Sequence, residues 1–442
     1  MNIYIHVEVK TRDLPGRLLL AMYSAQQGND VYLGDEGLLR LVENGYLKPG
    51  IILEKSLAPT KSRLSLLKNL KKKKCIITSI DEEGGLLSHD IKRFLKSRMS
   101  KKSIVYAKKV FFWGNYDYKN ACKIFKKEKQ KFVITGNPRI QLWNKKYKKT
   151  INKIKKVKKY ILISSNFKIG NSKKDFSEIY KYHLENSYFD DINYKNWFKN
   201  YYSYSFTLFM EFISLINTLV EVFPKVKFVV RPHPSESVNS WKNYLLKKNN
   251  LLISNKYNHS DWIENASLII HNGCTGGVEA FARKKNVICY KPFKSKFEFS
   301  FPNKFGLTLK NDKEMIRSIK KIVSGKKVNI GRSILYKQLV ARFNNFEKKV
   351  FCNKIIYEWN GLSKNYKTQN NYLKIFKLKK IVKKFKDTII PSKESHKFPD
   401  LNKSEINNYF SIYKSIHKEF KDLEFEIIDK RILRVKKINY KI

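Results

Sequence analysis

The sequence predicts an α/β protein: two doubly wound, mostly parallel sheets followed by a basic helical C-terminal extension. Three observations carry that expectation. Short β-rich runs alternate with helical patterns from residue 1 onward, the arrangement of parallel sheets covered by helices. Several of those runs stop abruptly in Gly, Pro, Asn, His or acidic residues, and polar loops at strand ends are where open α/β sheets bind ligands. With 42% hydrophobic and 14% aromatic residues in 442, the chain can build two ordinary cores and is not disordered.

The first domain is expected over 1–150. NIYIHVEV reads as a strand, and LPGRLLLAMYSAQQGN as a helix whose Pro15 suits the first turn and whose Gly28-Asn29 suits the stop. DVYLGD, GIILEK at 50–55 and CIITSI at 75–80 are further strands, with a basic helix over 60–73. Leu18, Leu19, Leu20 and Met22 read as core, whereas Lys10, Arg12 and Arg17 can face a ligand cleft.

Directly after Ile80 stands Asp81-Glu82-Glu83-Gly84-Gly85. A carboxylate at a strand's C-terminal end, beside glycines that permit a sharp turn, is positioned for general-base work; standing alone it would be a solvated acidic turn. Repulsion among three adjacent acids should raise at least one pKa. His89 and Asp90 belong to the next helix surface. Two more strands end in Gly114-Asn115-Tyr116 and in Thr135-Gly136-Asn137-Pro138-Arg139, where Asn137 and Arg139 are cleft-lining candidates on a turn that Gly-Asn-Pro also explains structurally.

Residues 144–159, NKKYKKTINKIKKVKK, read as a solvated basic linker. The second domain, 151–360, opens with the strand Tyr160 to Ser164 and the polar Ser165-Asn166-Phe167. Its organising stretch is 226–292. VKFVVRPHP delivers Arg231 and His233 at a strand end, with Pro232 and Pro234 stiffening the turn. Further on, SLII runs into Asn272, Gly273, Cys274, Thr275, Gly276 and Gly277 before a helical pattern from Val278, and a third strand ends in Tyr290-Lys291-Pro292. Two glycines at a helix start let backbone N–H groups approach an anion closely, and the positive helix end favours phosphate; a lone Gly-Gly is only a tight turn. Together the loops describe a diphosphate or phosphodiester pocket. Glu279 on the first helical turn otherwise offsets the helix dipole.

The insert at 168–203 carries Tyr, Phe, Asp and Asn without useful periodicity. Phe206 to Phe223 repeats at helical spacing and contains Glu211 and Glu221, so a core-facing helix is expected rather than a membrane span. Trp262 is a weak candidate for stacking on a base. After residue 360 the alternation dissolves. Apolar residues from Leu373 to Phe385 interleave with seven lysines between 374 and 386, giving a basic amphipathic helix that packs on the first domain or lies on anionic lipid.

Charge is the anomaly, with 91 Lys+Arg against 38 Asp+Glu for a net +53. Such a surface attracts anionic membranes, acidic polymers or nucleic acid, although a lysine-biased composition explains it equally well. No zinc-type or RNA-binding signature accompanies it, so nucleic acid is not the expected partner. Five cysteines, an odd number without CxxC spacing, fit reduced thiols. The N-terminus lacks a signal-peptide layout, so a cytoplasmic location is expected, with peripheral attachment to the inner membrane face as a variant.

The stretch 226–292 resembles the nucleotide-binding half of GT-B glycosyltransferases that make bacterial surface polysaccharides, and the opening IYIHVEVKTRDLPGRLLLAMYSAQQGNDVYLGD resembles surface carbohydrate biosynthesis proteins. Within GT-B enzymes, the His-Pro turn and the D/E-D/E-G motif are similar to those of bacterial sialyltransferases and Kdo transferases. TGNPRI also recurs in GT-B polysaccharide enzymes. The resemblance spans roughly residues 1–300. It implies two Rossmann-like domains facing a cleft, the first binding acceptor and the second a CMP-linked donor. It makes Glu82 the base and Gly84 the motif glycine, with Asp81 or Glu83 as alternatives because Asp81 extends the acidic run by one residue and leaves the register open. It further assigns the donor phosphate to Arg231, His233, Pro234 and the Gly276-Gly277 helix start, and the ribose to Glu279. The implied activity is transfer of an acidic sugar such as Kdo or a nonulosonate to a glycan or lipid-linked acceptor, with no metal and no cofactor. A CDP-polyol phosphotransferase, a UDP-sugar enzyme including a 2-epimerase, and a non-enzymatic basic membrane adaptor are the alternatives.

Overall fold

The computed structural model describes residues 1–84, 90–150, 159–326, 332–363 and 397–438. The chain folds as two units, one of residues 1–85, 90–150 and 338–442, the other of residues 86–89 and 151–337.

The first unit is built on an eight-stranded sheet. Its strands are β1 (Asn2–His6), β2 (Asp30–Gly34), β3 (Ile51–Glu54), β4 (Ile76–Ile80), β5 (Ala107–Phe112) and β6 (Phe132–Ile134), joined late in the chain by β13 (Leu423–Asp429) and β14 (Ile432–Lys437). The order is β13-β14-β2-β1-β3-β4-β5-β6, and every pair from β2 to β6 is parallel. β1, β3 and β4 are almost wholly buried, as the unbroken apolar runs of a sheet covered on both faces require.

The first helix starts earlier than expected, running from Lys10 to Gln26 with Pro15 inside it. Its opening turn is tied down by one bond from within the helix and one from outside it. The Val9 N–H donates to Asp13 Oδ2 at 3.0 Å, and the Lys10 N–H donates to the Lys397 carbonyl at 2.9 Å. Gly16 lets the turn at Pro138–Gln141 approach this helix, because a Cβ there would stand 2.7 Å from the Arg139 nitrogen.

Three expectations change. The second unit closes at 337 instead of 360, since the helix Phe351–Ser363 belongs to the first unit: Trp359 Nε1 donates to Thr78 Oγ1 at 3.1 Å, and the Phe351 N–H to Gln141 Oε1 at 2.8 Å. Within the C-terminal extension, the helix Lys403–Ile416 is followed by a hairpin, and β14 adds antiparallel to β2 with Arg434 reaching Asp30 at 2.8 Å. The basic helix expected over 373–386 lies outside the described residues. Finally, the start of the supposed solvated linker is packed: Lys145–Thr150 is a 3-10 turn with Tyr147 buried against His417 at 3.1 Å.

The second unit carries a six-stranded, all-parallel sheet. Its strands are β7 (Tyr160–Ser164), β8 (Lys227–Arg231), β9 (Leu251–Ile253), β10 (Ala266–His271), β11 (Asn286–Tyr290) and β12 (Leu307–Leu309), in the order β12-β11-β10-β7-β8-β9. The expected core helix is part of a longer one, Ile192–Val222, whose Leu208, Phe212, Ile216 and Leu219 pack on the sheet. By length and composition it could cross a membrane, and half of its most apolar window is buried in the protein.

Candidate functional site

In the second unit the ends of β7 and β8 meet through one buried carboxylate. Glu236 is fully buried and accepts from Ser165 Oγ at 2.6 Å, from the Phe167 N–H at 2.7 Å and from Trp241 Nε1 at 3.1 Å. Burial pushes its pKa up against those donors. Ser165 Oγ in turn accepts the His233 N–H at 3.1 Å, so the loop after β7 is tied to the Arg-Pro-His-Pro turn after β8. His233 is exposed, with Nδ1 held 2.7 Å from Ser235 Oγ, and Pro234 beside it is exposed as well.

Arg231 ends β8 and is 8% exposed, with an Nε that has no hydrogen-bond acceptor. Burial lowers its pKa to about 10, so it stays a cation at neutral pH; Cys274, Glu236, Glu279 and Asp261 are the groups whose fields favour that charge. The adjoining strand ends carry two more buried polar atoms without partners, Asn166 Nδ2 and Asn272 Oδ1, although Asn272 Nδ2 does donate to the Asn166 carbonyl at 3.0 Å. A buried polar atom left unmatched costs roughly 1–3 kcal/mol. Two of the three, Arg231 Nε and Asn166 Nδ2, are donors suited to an oxygen-rich ligand, whereas Asn272 Oδ1 calls for a donor such as a hydroxyl.

The Cys274-Thr275-Gly276-Gly277 segment starts a helix, Thr275–Ala282, as expected, and its glycines also make room for two imidazole rings. A Cβ on Gly276 would meet the His259 ring at 1.8 Å, and one on Gly277 would meet the His271 ring at 2.5 Å. Both glycine faces are therefore filled by imidazoles, and the Gly277 N–H is directed to Cys274 Sγ at 3.4 Å. His271 is buried and accepts the Gly273 N–H at Nδ1 (2.9 Å), and burial lowers its pKa to about 4, which keeps it neutral. Gly273 itself needs its φ of +93°, and a Cβ there would strike Asn303 Oδ1 at 2.7 Å. Glu279 Oε1 is held by Ser260 Oγ at 2.6 Å and by Arg283 Nε at 2.9 Å. Trp262 cannot stack on a base, being 1% exposed with Nε1 on the Lys256 carbonyl at 2.7 Å.

In the first unit the acidic turn follows β4 as expected, and its three acids have separate environments. Asp81 pairs with Arg98 Nε at 2.6 Å and caps the turn by accepting the Glu83 N–H at 2.8 Å. The Glu83 side chain is half exposed. Glu82 is 2% exposed, with Oε1 2.6 Å from Arg17 Nη2 and Oε2 accepting from Asn137 Nδ2 at 3.2 Å. Its pKa is raised by burial and by the neighbouring Asp13, against the pull of Arg17, Arg139 and Arg12. The expected cause, repulsion within the acidic run, is a lesser contributor at Asp81 only, where burial dominates the upward shift.

Arg17 is fully buried, and its Nε and Nη1 lack acceptors. Arg12 forks onto Asp13 at 2.5 and 3.1 Å. Asn137 caps the following turn through the Arg139 N–H at 2.8 Å, and the Arg139 guanidinium lies 5.3 Å from the centre of the Trp113 ring. Gly84 adopts φ +54° under that same ring. Lys10 does not fit the role of a cleft residue: its ammonium is buried on Glu405 at 2.7 Å and on the Asp400 carbonyl at 3.0 Å. Glu236, His259 and Ser164, whose Oγ lies 2.9 Å from His259 Nε2, are organising residues that no sequence motif marked.

The two sheets define an α/β protein of GT-B-like fold. It is shared with a Listeria monocytogenes protein assigned as a UDP-N-acetylglucosamine 2-epimerase, at TM-score 0.51 and 11% identity over 84% of this chain and 99% of that one. A second UDP-N-acetylglucosamine 2-epimerase structure gives the same score and identity over 84% and 98%. A Rickettsia africae glycosyltransferase aligns at TM-score 0.45 and 12% identity over 83% and 99%, too low to add to the assignment. At these identities the likeness is one of fold. No family model matches the sequence, and no curated protein matches it either.

Proposed function

We propose that the chain is a nucleotide-sugar enzyme, and specifically a glycosyltransferase of bacterial surface polysaccharide synthesis using a CMP-activated acidic sugar such as Kdo or a nonulosonate. The observation that carries the reading is Arg231, a buried cation whose Nε lacks an acceptor, on a strand end next to the unmatched Nδ2 of Asn166. A nucleotide phosphate supplies acceptors of the right charge there, and His233 stands exposed on the same turn. Ser165 and Glu236 keep the turn in shape. Glu279, with Ser260, is assigned to the ribose hydroxyls.

Glu82 is the proposed base. Its raised pKa suits it to accept a proton from the acceptor hydroxyl as that oxygen attacks the anomeric carbon and the bond to the phosphate oxygen breaks, releasing the nucleotide. Fixed donors on the leaving phosphate would take the part a metal ion plays elsewhere, so activity is expected to survive chelation.

The second reading, a UDP-sugar 2-epimerase, is favoured by the fold likeness to proteins bearing that name. Incubation with CMP-, CDP- and UDP-linked sugars separates the two readings. Nucleotide released only with an acceptor glycan supports transfer, whereas a new UDP-sugar epimer without release supports the alternative.

A further inference from the structure

The segment 176–210 presents an apolar surface that the rest of its unit leaves uncovered. Phe176 lies with its ring centre 4.2 Å from Tyr202, Tyr202 stacks on Phe206 at 6.2 Å with planes 11° apart, and Met210 continues the stripe one helical turn on. Phe176, Phe206 and Met210 are 36–39% exposed. Beside them, Tyr182, Leu184 and Ile192 are more than half exposed and Tyr188 nearly so. The stripe runs along the helix Ile192–Val222, whose composition would suit a bilayer.

Charge identifies the occupant. Residues 170–210 carry five lysines and five acids, a locally neutral face on a chain of net +53. A second copy seated on this face would bring two strongly cationic bodies together, which like-charge repulsion opposes. A bilayer imposes no such penalty. Aromatic rings mixed with aliphatic side chains and flanked by Lys173, Lys174, Lys181, Lys195 and Lys199 are the composition that settles at headgroup depth, with the lysine ammonium groups reaching back to water. We propose that this face inserts into the interfacial layer of a lipid bilayer and does so through apolar contact, without a requirement for anionic lipid. The proposal does not depend on the donor chemistry above.

A reporter belongs in the stripe itself: five of the six tryptophans are buried, and Trp197 packs toward Tyr201 and Phe297 on the other side of the helix, so the probe is placed as Phe206→Trp. Full-length protein is mixed with neutral phosphatidylcholine vesicles bearing brominated acyl chains, in about 1 M salt, where the Debye length is about 3 Å and electrostatic adsorption is suppressed. Tryptophan fluorescence of Phe206→Trp should be quenched well beyond that of the wild type, and that variant should still float with the vesicles. The variant Leu184→Ser/Tyr188→Ser/Ile192→Ser should float about tenfold less well, whereas Tyr357→Ser, at an exposed site of the other unit, should float normally. Binding only to anionic vesicles and only at low salt, no added quenching in Phe206→Trp, or concentration-dependent dimerisation lost in the triple variant would each overturn the proposal.

Discussion

A Cβ atom on Gly276 would stand 1.8 Å from Cε1 of His259. The imidazole thus occupies the space that a side chain at this helix start would fill, and the glycine serves the packing of the ring. Gly276→Ala should destabilise the second unit by about 1–3 kcal/mol, the usual cost of overfilling a packed site. Adding His259→Ala should recover part of that loss, a coupling that a thermal-unfolding double-mutant cycle would measure. Simple additivity would mean that the ring is not what the glycine accommodates.

Glu82 and Arg17 form a buried pair, so the two obvious replacements of Glu82 should differ. Glu82→Ala leaves a buried guanidinium without its carboxylate and should cost about 3–5 kcal/mol of stability. Glu82→Gln retains an oxygen acceptor; the fold should persist while turnover falls about 10²–10⁴-fold, the usual weight of a general base. If Glu82→Gln keeps full turnover and Glu83→Gln abolishes it, the exposed acid is the base.

Glu54 provides a pH signature of the first unit. Burial alone would raise its pKa, but His6 at 2.7 Å and Arg63 at 2.9 Å, with the Lys55 N–H, hold it at about 2, below the ordinary 4.5. An acid depressed in the folded state binds its proton more readily when unfolded. Its contribution is therefore present above pH 4.5 and is lost as pH falls toward 2, on the order of 3 kcal/mol. Unfolding midpoints between pH 5 and 2.5 should fall more steeply for the wild type than for Glu54→Gln.

The C-terminal hairpin should be required for the first unit. Removing residues 397–442 would expose the β2 edge and the hydrophobic surface that buried Leu433 and Val435 cover. The truncated chain should aggregate or melt at lower temperature, and size-exclusion chromatography would read this directly. A monodisperse truncated chain with an unchanged melting temperature would refute that role.

Most of the strands could be read from runs such as IIL, CIITSI and YILIS, because a strand buried on both faces is apolar throughout. The hairpin escaped notice because LEFEIID and ILRVKK alternate apolar with charged residues and lie beyond a lysine-rich stretch that hides the periodicity. At the site, RPHP and DEEGG announced themselves through residue types that only a loop at a strand end would combine. Glu236 and His259 did not, since a single Glu or His carries no pattern until folding gives it Ser165 and Trp241, or Ser164 and Gly276, as neighbours. The role of Arg17 was only half legible: its charge suggested a ligand, whereas Glu82 takes part of its bonding capacity.

The most direct test of a nucleotide site at Arg231 is calorimetric titration of the full chain with CMP, CDP and UDP, comparing wild type with Arg231→Ala. The wild type should bind at least one of them at one site per chain, and Arg231→Ala should weaken that binding by at least about tenfold, as loss of a charge-assisted phosphate contact does. Binding of equal strength by the variant, or no binding of any of the three by the wild type, would contradict it.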